Sequence, residues 1–178
     1  MTSAPDAVNV RPLVLADAAV FAGWASDRDF CLAADWSLDR SAAEHVSFHE
    51  QLIEAAPIGL LRLAAVHAGE LVGWVDLHAD GGPTRELGFL VGGRDRWGLG
   101  LGGRTAAAGV AHAFDVLELP EVWAEAVALN HASVRILERL GMDEVERGGG
   151  AAYRGAASYY RRFTLTREAW GSSRGAPN

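Results

Sequence analysis

The chain has little of what marks a secreted, disulfide-bonded or membrane-spanning protein. Cys31 is the sole cysteine among 178 residues, so no internal disulfide can form and the sequence suits a reducing compartment. No apolar run reaches the length of a membrane span, and the N-terminus lacks a positively charged region followed by an apolar stretch. We therefore expect a cytoplasmic protein with no membrane partner.

Positive charge is also in short supply. The 16 basic residues are outnumbered by 23 acidic ones, which leaves a net charge of -7. This balance argues against nucleic acid or an anionic membrane as the main partner, and it mildly suits a cationic amine. The hydrophobic fraction of 49% and the charged fraction of 22% are typical of a globular chain.

The length favours one domain, and no internal repeat or low-complexity linker interrupts it. We expect a disordered N-terminus at residues 1–7, a single domain at 8–168 and a flexible C-terminus at 169–178, because both ends are small and polar.

Periodicity predicts a mixed α+β fold. Ser41 and Glu44 have the spacing of a capping box before a helix at residues 41–55. Residues 60–67 and 70–79 flank an Ala68-Gly69 turn and predict a hairpin. Residues 27–40 are expected to form a loop. Further strands are expected at residues 8–13, 84–91, 122–127, 142–146 and 158–165, and further helices at 17–26, 104–117 and 132–140.

A glycine-rich stretch between a strand and a helix is the most informative feature. Gly98, Gly100, Gly102 and Gly103 lack side chains, so backbone N–H groups can approach an oxygen-rich ligand closely. The helix that follows directs its positive end to the same place. The pattern predicts a site for a phosphate or pyrophosphate.

Read literally, these glycines satisfy G-x-G-x-x-G, the fingerprint of a dinucleotide-binding enzyme. That fingerprint requires the glycines at the end of the strand. Residues 92–97 separate the strand from the glycines here, so a dinucleotide-binding oxidoreductase is the weaker alternative.

Three segments together resemble the GNAT superfamily of N-acetyltransferases, and most closely its RimJ/RimL-like group. They are Glu86-Leu-Gly-Phe-Leu-Val91, Trp97-Gly-Leu-Gly-Leu-Gly102, and Asn130-x-x-Ser133 followed by Leu140-Gly-Met142. The resemblance covers residues 8–165. It implies a central, mostly antiparallel twisted sheet of six to seven strands with a splayed parallel pair, flanked by about four helices.

The resemblance also implies a cofactor site and an acceptor site. Acetyl-CoA, or another acyl-CoA such as succinyl-CoA, would be the co-substrate, with no metal. The residues expected to bind it are Phe89, Leu90, Val91, Arg96, Trp97, Gly98, Leu99, Gly100, Leu101, Gly102, Gly103, Arg104 and Asn130. The residues expected to border the acceptor are Asp29, Phe30, Asp35 and Trp36.

Two catalytic candidates follow. Glu86 alternates with Gly88 and Leu90, which places it on one face of the strand near the splay, where a carboxylate could take the proton of an attacking amine. Many GNAT enzymes carry a tyrosine where this chain has Leu137. Ser133 lies one helical turn earlier, at the position of the serine used in RimJ/RimL enzymes, and is the expected proton donor to the leaving thiolate.

The acceptor stays open at this stage. It could be a protein N-terminal amine, an aminoglycoside or another small-molecule amine, and a non-catalytic acyl-CoA-binding module is a further alternative. Proteins of this kind are often homodimers. Trp97 stands at the first place of the loop motif, where the family usually has Gln or Arg, so Arg94, Arg96 and Arg104 are candidate phosphate partners. His45 and His49 stand four residues apart, but no third metal ligand accompanies them.

Overall fold

The computed structural model describes residues 7–79 and 81–175, with side chains described up to residue 173. Within this part of the chain, seven strands form one sheet in the order β1-β2-β3-β4-β5-β7-β6. The strands are β1 Val8–Pro12, β2 Leu60–His67, β3 Glu70–Ala79, β4 Arg85–Val91, β5 Glu121–Val127, β6 Asp143–Tyr153 and β7 Ala156–Thr166. The α-helices are α1 Asp17–Trp24, α2 Arg28–Ala34, α3 Ala42–Glu54, α4 Leu101–Ala111, α5 His131–Arg139 and α6 Arg167–Gly175. The mixed α+β fold is as predicted.

The first four strands form an antiparallel meander. The turn between β2 and β3 is the predicted Ala68-Gly69 pair, and both residues adopt positive φ, at 50° and 84°. β1 pairs with β2 and lies at the edge of the sheet, where Pro12 removes no hydrogen bond from an inner strand. The hairpin and the edge strand are therefore confirmed.

β4 and β5 are parallel and separate almost at once. Only Arg85 pairs with Val122 and Glu86 with Trp123, while β4 remains paired with β3 as far as Val91. The predicted splayed pair is confirmed. Beyond Glu86, the side of β4 that faces β5 carries backbone groups with no strand partner.

Helices cover both faces of the sheet. α4 and α5 pack on one face over a cluster that includes Val75, Leu87, Val110 and Leu137. On the other face, α1 and α2 contribute to an aromatic cluster that contains Trp74 of β3. Each such large side chain contributes about 1.5–3 kcal/mol through its burial.

α3 begins as the sequence predicted. The Ser41 hydroxyl accepts from the N–H of Glu44, and the Glu44 carboxylate accepts from the N–H of Ser41, which completes the capping box. The inner face of this helix carries His45 and His49, which are 4% and 3% exposed.

The sequence analysis expected residues 27–40 to form one loop, and this expectation was wrong. They contain α2, capped by Asp27, whose carboxylate accepts from the N–H groups of Asp29 and Phe30. The helix ends at Asp35, which adopts the left-handed conformation with φ 56°. This short helix brings Phe30 into the aromatic cluster.

Three other elements depart from the predicted boundaries. The β6–β7 hairpin is far longer than residues 142–146 and 158–165, and six α-helices lie in the described residues where about four were expected. α4 begins at Leu101 and continues through a π-helical turn, His112–Val116. Residues 169–175 of the expected flexible C-terminus lie in α6, whereas 1–6 and 176–178 lie outside the described residues.

Candidate active site

A cavity of about 830 Å³ opens where β4 and β5 diverge, and we call it the first cavity. Its walls come from α2, the end of β4, the glycine loop with the start of α4, one side of α5 along its whole length, and the end of β6. The lining residues are Phe30, Ala33, Ala34, Phe89, Leu90, Val91, Arg96, Trp97, Gly98, Gly100, Gly102, Gly103, Asn130, Ala132, Ser133, Arg135, Ile136, Arg139, Leu140 and Tyr153. The structure therefore brings three separately recognised motifs to one wall.

The glycine loop forms the part of this wall that suits an anion. Gly98 and Gly100 both have φ of 78°, which side-chain-bearing residues rarely adopt, and Gly100 precedes α4. A Cβ atom added at Gly98 or Gly103 would meet nothing within 4 Å, so these positions leave open space beside the helix N-terminus. A pyrophosphate could approach the backbone there.

Gly102 has a different role from its neighbours. A Cβ atom at this position would lie 2.8 Å from Cδ1 of Ile136 on α5. Its missing side chain therefore allows α4 and α5 to pack closely, and this packing sets the width of the cavity.

Arg96 and Trp97 hold the loop against the end of β4. Nε1 of Trp97 donates to the carbonyl of Val91 at 3.2 Å, and Nη1 of Arg96 donates to the carbonyl of Gly92 at the same distance. Both residues line the first cavity, and their predicted contact with the cofactor stays a prediction.

The other predicted loop residues lie elsewhere. Arg94 does not line the cavity; it forms ion pairs with Asp27 and Asp29 and ties the loop to α2. Leu99 is exposed and Leu101 is buried among core residues, and neither side chain lines the cavity. Arg104 is also absent from the lining, although its Nη2 lies 4.0 Å from where a Cβ of Gly100 would be.

α5 presents Asn130 and Ser133 to the cavity. Oδ1 of Asn130 accepts from the N–H of Ser133 at 3.2 Å and so caps the helix, which leaves the amide nitrogen as a donor for a ligand. The Ser133 hydroxyl lines the wall one turn further on.

Several lining residues were missed from the sequence. Arg135 and Arg139 recur four residues apart on α5, and this spacing, read with Asn130, could have shown that they share the wall. Tyr153 lies at the end of β6, beyond the predicted end of that strand, so no sequence signal placed it here.

Glu86 lies on the sheet face that carries α1 and α2, because it alternates with Leu90 of the aromatic cluster. It is not part of the first cavity's wall, and three residues of strand place it about 10 Å from Phe89. Burial raises the pKa of the Glu86 carboxyl, and the nearby Glu125 carboxylate raises it further, against the opposing charges of His78 and Arg162. A carboxylate with a raised pKa is a better proton acceptor.

Arg162 organises the charges around Glu86. Its guanidinium pairs with Glu125 at 2.8 Å and with Glu146 at 2.6 Å, and it lies 4.7 Å from the ring centre of Trp123. Carboxylates of β5 and β6 therefore gather on this face of the sheet around one arginine of β7.

The four predicted acceptor residues separate in the structure. Phe30 lines the first cavity, whereas Asp35 and Trp36 line a second cavity of about 420 Å³ between α3 and strands β2 and β3. Asp29 lines neither cavity and pairs with Arg94. Cys31 is buried and burial raises the pKa of its thiol, which does not suit a nucleophile.

Residues 7–79 and 81–175 contain neither a group of metal ligands nor a helix that could span a membrane. No group of three or more His, Cys, Asp or Glu residues there could hold a metal ion, so His45 and His49 remain a pair. No helix in that part of the chain is long and apolar enough to cross a membrane.

Comparison with protein families gives one match, to the acetyltransferase (GNAT) domain, over residues 8–143. No curated protein sequence matches the chain.

Solved structures share the fold at low sequence identity. The aminoglycoside acetyltransferase AAC(6')-Ib with coenzyme A is 19% identical, with a TM-score of 0.73 over 95% of this chain and 100% of that one. The spermidine N-acetyltransferase from Vibrio cholerae with CoA and spermine is 16% identical, with a TM-score of 0.76 over 92% and 97%. A GNAT-family acetyltransferase from Bacillus anthracis is 19% identical, with a TM-score of 0.72 over 94% and 99%.

Proposed function

The chain belongs to the GNAT acetyltransferase family, and from this premise we propose that it transfers an acetyl group from acetyl-CoA to a primary amine by direct attack. Family membership follows from the domain match, which covers residues 8–143. The acceptor is either a small-molecule amine or a protein N-terminal amine.

The unpaired edge of β4, opening onto the first cavity, is the observation that carries this proposal. Past Glu86 the strand has no strand partner on its β5 side. The Val91 carbonyl already accepts from Trp97, so the backbone groups of Phe89 and the N–H of Val91 remain to pair with the amides of a pantetheine arm. The glycine loop lies at the same cavity, where Cβ atoms added at Gly98 and Gly103 would occupy open space. The residues present fit acyl-CoA.

The wall supplies further donors for the cofactor. The free amide nitrogen of Asn130 suits the pantetheine chain, and Arg135 and Arg139 offer cations beside the loop, where Trp97 replaces the usual one. Bound acetyl-CoA would supply an activated thioester. Backbone N–H groups on the open edge of β4 would stabilise negative charge that develops on its carbonyl oxygen.

Glu86 is the proposed general base. An amine attacks only when it is neutral, and an N-terminal amine, with a reference pKa of about 8, loses its proton more readily than a lysine at about 10.4. The raised pKa of Glu86 favours proton transfer, and its distance from Phe89 calls for a water in the path. The amine gives its proton to Glu86 as the nitrogen–carbon bond forms.

Ser133 is the proposed donor to the leaving thiolate. It lines the first cavity on α5, one turn before Leu137, which is buried in the core and has no ionisable group. Ser133 and Trp97 together support placing the chain in the RimJ/RimL-like group. The single cysteine supports a cytoplasmic location.

The acceptor class is supported by the charge of the site and by the structural neighbours. Glu86 and Glu125 give the face near β5 a negative character that suits an approaching ammonium. Two of the neighbours are named as an aminoglycoside acetyltransferase and a spermidine N-acetyltransferase, and the second is in complex with CoA and spermine. A homodimer and a succinyl donor stay predictions.

A ligand titration followed by melting temperature tests the cofactor. Acetyl-CoA, CoA, succinyl-CoA and NADH are added separately, and a ligand at a hundred times its dissociation constant stabilises by about 2.7 kcal/mol. We expect a shift with the CoA compounds and none with NADH. A shift with NADH alone would overturn the assignment and restore the dinucleotide interpretation.

A thiol-release screen over amines then tests turnover. Because the sequence contains no lysine, acetylation of the protein's own lysine side chains cannot contribute to the signal. CoA binding without release of thiol from any amine would favour the non-catalytic acyl-CoA-binding alternative.

A further inference from the structure

The second cavity lies outside the proposed acyl transfer site and has a composition of its own. It is lined by Asp35, Trp36, Ser37, Arg40, His45, Phe48, His49, Leu52, Arg62 and Trp74. Phe30 of the first cavity packs against Trp36 of the second at 5.1 Å between ring centres, so the two cavities adjoin at this pair of rings.

Two imidazole nitrogens in the second cavity lack partners. Nδ1 of His45 and Nε2 of His49 are buried, and no hydrogen-bond partner is available to either among the described residues. A buried polar atom without a partner costs about 1–3 kcal/mol. Both nitrogens have almost no exposed area as they stand, so a ligand with oxygen atoms in this cavity would remove that cost once either ring turns to bring its nitrogen to the cavity surface.

The positive charge in the cavity comes from two arginines. Arg62 is held by Asp76 through two hydrogen bonds of 2.7 Å, so its charge is matched. The Arg40 guanidinium lies 4.2 Å from the ring centre of Phe48, at the exposed end of the cavity. Arg40 is therefore the arginine that can form an ion pair with one negative charge on a ligand.

Positive charges also lie near His49 in this cavity. Burial lowers the pKa of His49 to about 4, and the charges that lower it further are those of Arg62, His45 and Arg40. Asp35 opposes an anion, but it is an exposed residue on the rim. At neutral pH His49 is therefore uncharged, and its ring has one N–H to donate.

The walls are flat and aromatic. The rings of Trp36 and Trp74 are 10° from parallel with centres 5.7 Å apart, and His45 stacks on Trp36 at 27°. A planar ligand can lie against such walls with little loss of contact.

We propose that the second cavity binds a small planar carboxylate, whose ring packs on Trp36 and Trp74 and whose oxygens accept hydrogen bonds from Arg40 and the buried imidazoles. The proposal does not depend on the acyltransferase function. The carboxylate belongs either to a free ligand or to the acceptor amine itself.

Benzoate and its uncharged counterpart benzamide are the probes. Each is titrated into the full chain while the ring resonances of His45 and His49 are followed by NMR. We expect both rings to respond, and benzoate to bind at least about tenfold more tightly than benzamide, because hydrogen bonds to charged groups are the stronger ones. Equal binding, or unmoved imidazole resonances, would overturn the proposal.

Arg40→Gln tests the charge at an exposed position that should not disturb folding. It should weaken benzoate binding about tenfold and benzamide binding by less than about twofold. Arg28→Gln is the matched control, because Arg28 is also exposed and does not line the cavity. Benzoate binding that is the same in both variants would contradict the assignment.

Two amines, one with a carboxylate and one without, show whether the bound carboxylate belongs to the acceptor or to a separate molecule. If it belongs to the acceptor, 4-(aminomethyl)benzoate will show a higher kcat/KM than benzylamine, and Arg40→Gln will remove the difference. If it belongs to a separate molecule, the two amines will react alike and benzylamine will leave benzoate binding unchanged. Failure of turnover with both amines would count against the acyltransferase function alone, since the binding measurements stand without it.

Discussion

Replacement of Glu86 by glutamine separates catalysis from stability. The variant keeps the shape of the side chain but removes the carboxylate that would take the proton of the amine. General bases contribute roughly 10²–10⁴-fold to rate. Because Glu86 lies about 10 Å along β4 from Phe89 and would act through water, we expect a loss near the lower end, roughly 100-fold in kcat/KM.

The same change should not destabilise the fold at neutral pH. The pKa of Glu86 is raised in the folded state, first by burial and then by Glu125, so its ionisation opposes folding. The favourable contribution is present below the unfolded pKa and is lost as pH rises through the folded one. At pH 7 glutamine carries no such penalty, and the melting temperature of the variant should equal or exceed that of the parent.

Arg162 provides an independent check through the pH profile. The rising limb of kcat/KM should reflect the pKa of Glu86 and lie above the usual range for a glutamate. Arg162→Gln removes a cation that lowers this pKa, so the limb should move to higher pH. Arg161→Gln is the control, since Arg161 pairs with Glu138 and Glu144 and is not among the charges acting on Glu86.

Steady-state kinetics with a fixed amine, measured from acid to alkaline pH, are sufficient for all three variants. The reasoning fails if Glu86→Gln keeps kcat/KM within about threefold of the parent, well short of what a general base contributes. It also fails if Arg162→Gln and Arg161→Gln shift the limb equally.

Four further substitutions test other parts of the molecule. Gly103→Ala should raise helix stability by about 0.5–1 kcal/mol yet weaken CoA binding, because its Cβ enters the open space of the first cavity; thermal melting and calorimetry measure the two effects. Asn130→Ala should cost about 1 kcal/mol in denaturant unfolding and reduce CoA affinity, through loss of the cap and of an amide donor. Gly109→Ala should destabilise by about 1–3 kcal/mol, because its Cβ would lie 2.6 Å from Val75; an unchanged melting temperature would contradict this. His49→Phe should flatten the pH dependence of stability. The free energy of unfolding of the parent should fall by up to about 3 kcal/mol as pH falls from 6.5 to 4, since the pKa of His49 is lowered to about 4 on folding. Acid unfolding curves of both proteins check this.

Local chemistry explains why some elements could be predicted from the sequence. The capping box of α3 and the Ala68-Gly69 turn depend on residues within four positions of each other. The glycine loop is similar, because Gly98 and Gly100 require positive φ wherever the loop lies.

Tertiary contacts explain what could not be predicted. α2 has only seven residues, too few to be stable alone, and Phe30 holds it through contacts with Trp24 and Trp36. The extension of β6 includes Gly148 and its glycine neighbours, which disfavour strands, and it persists through pairing with β7. Arg147 stacks on Tyr159 across that pair at 3.8 Å.

The candidate site likewise has residues that could be predicted from the sequence and residues that could not. Its loop and Asn130 could be found because they lie within recognisable motifs. The structure places Gly98, Gly100 and Asn130 at the first cavity, and their binding of CoA stays a prediction. The sequence could not show that Asp29 and Trp36 lie in different places. Their positions depend on the direction of α2 and on the ion pair between Asp29 and the distant Arg94. The second cavity joins residues of α3 to Trp74 of β3, and no local pattern links them.

The early divergence of β4 from β5 makes the sheet two half-sheets that share a seam only two residue pairs long. A pantetheine arm lying along β4 would pair with the sheet as an eighth strand that can dissociate. It would add hydrogen bonds along the strand edge that the polypeptide itself does not supply. The stiffness of the molecule across this seam would then follow the concentration of its own co-substrate, so that the enzyme is best ordered when there is acetyl-CoA to use.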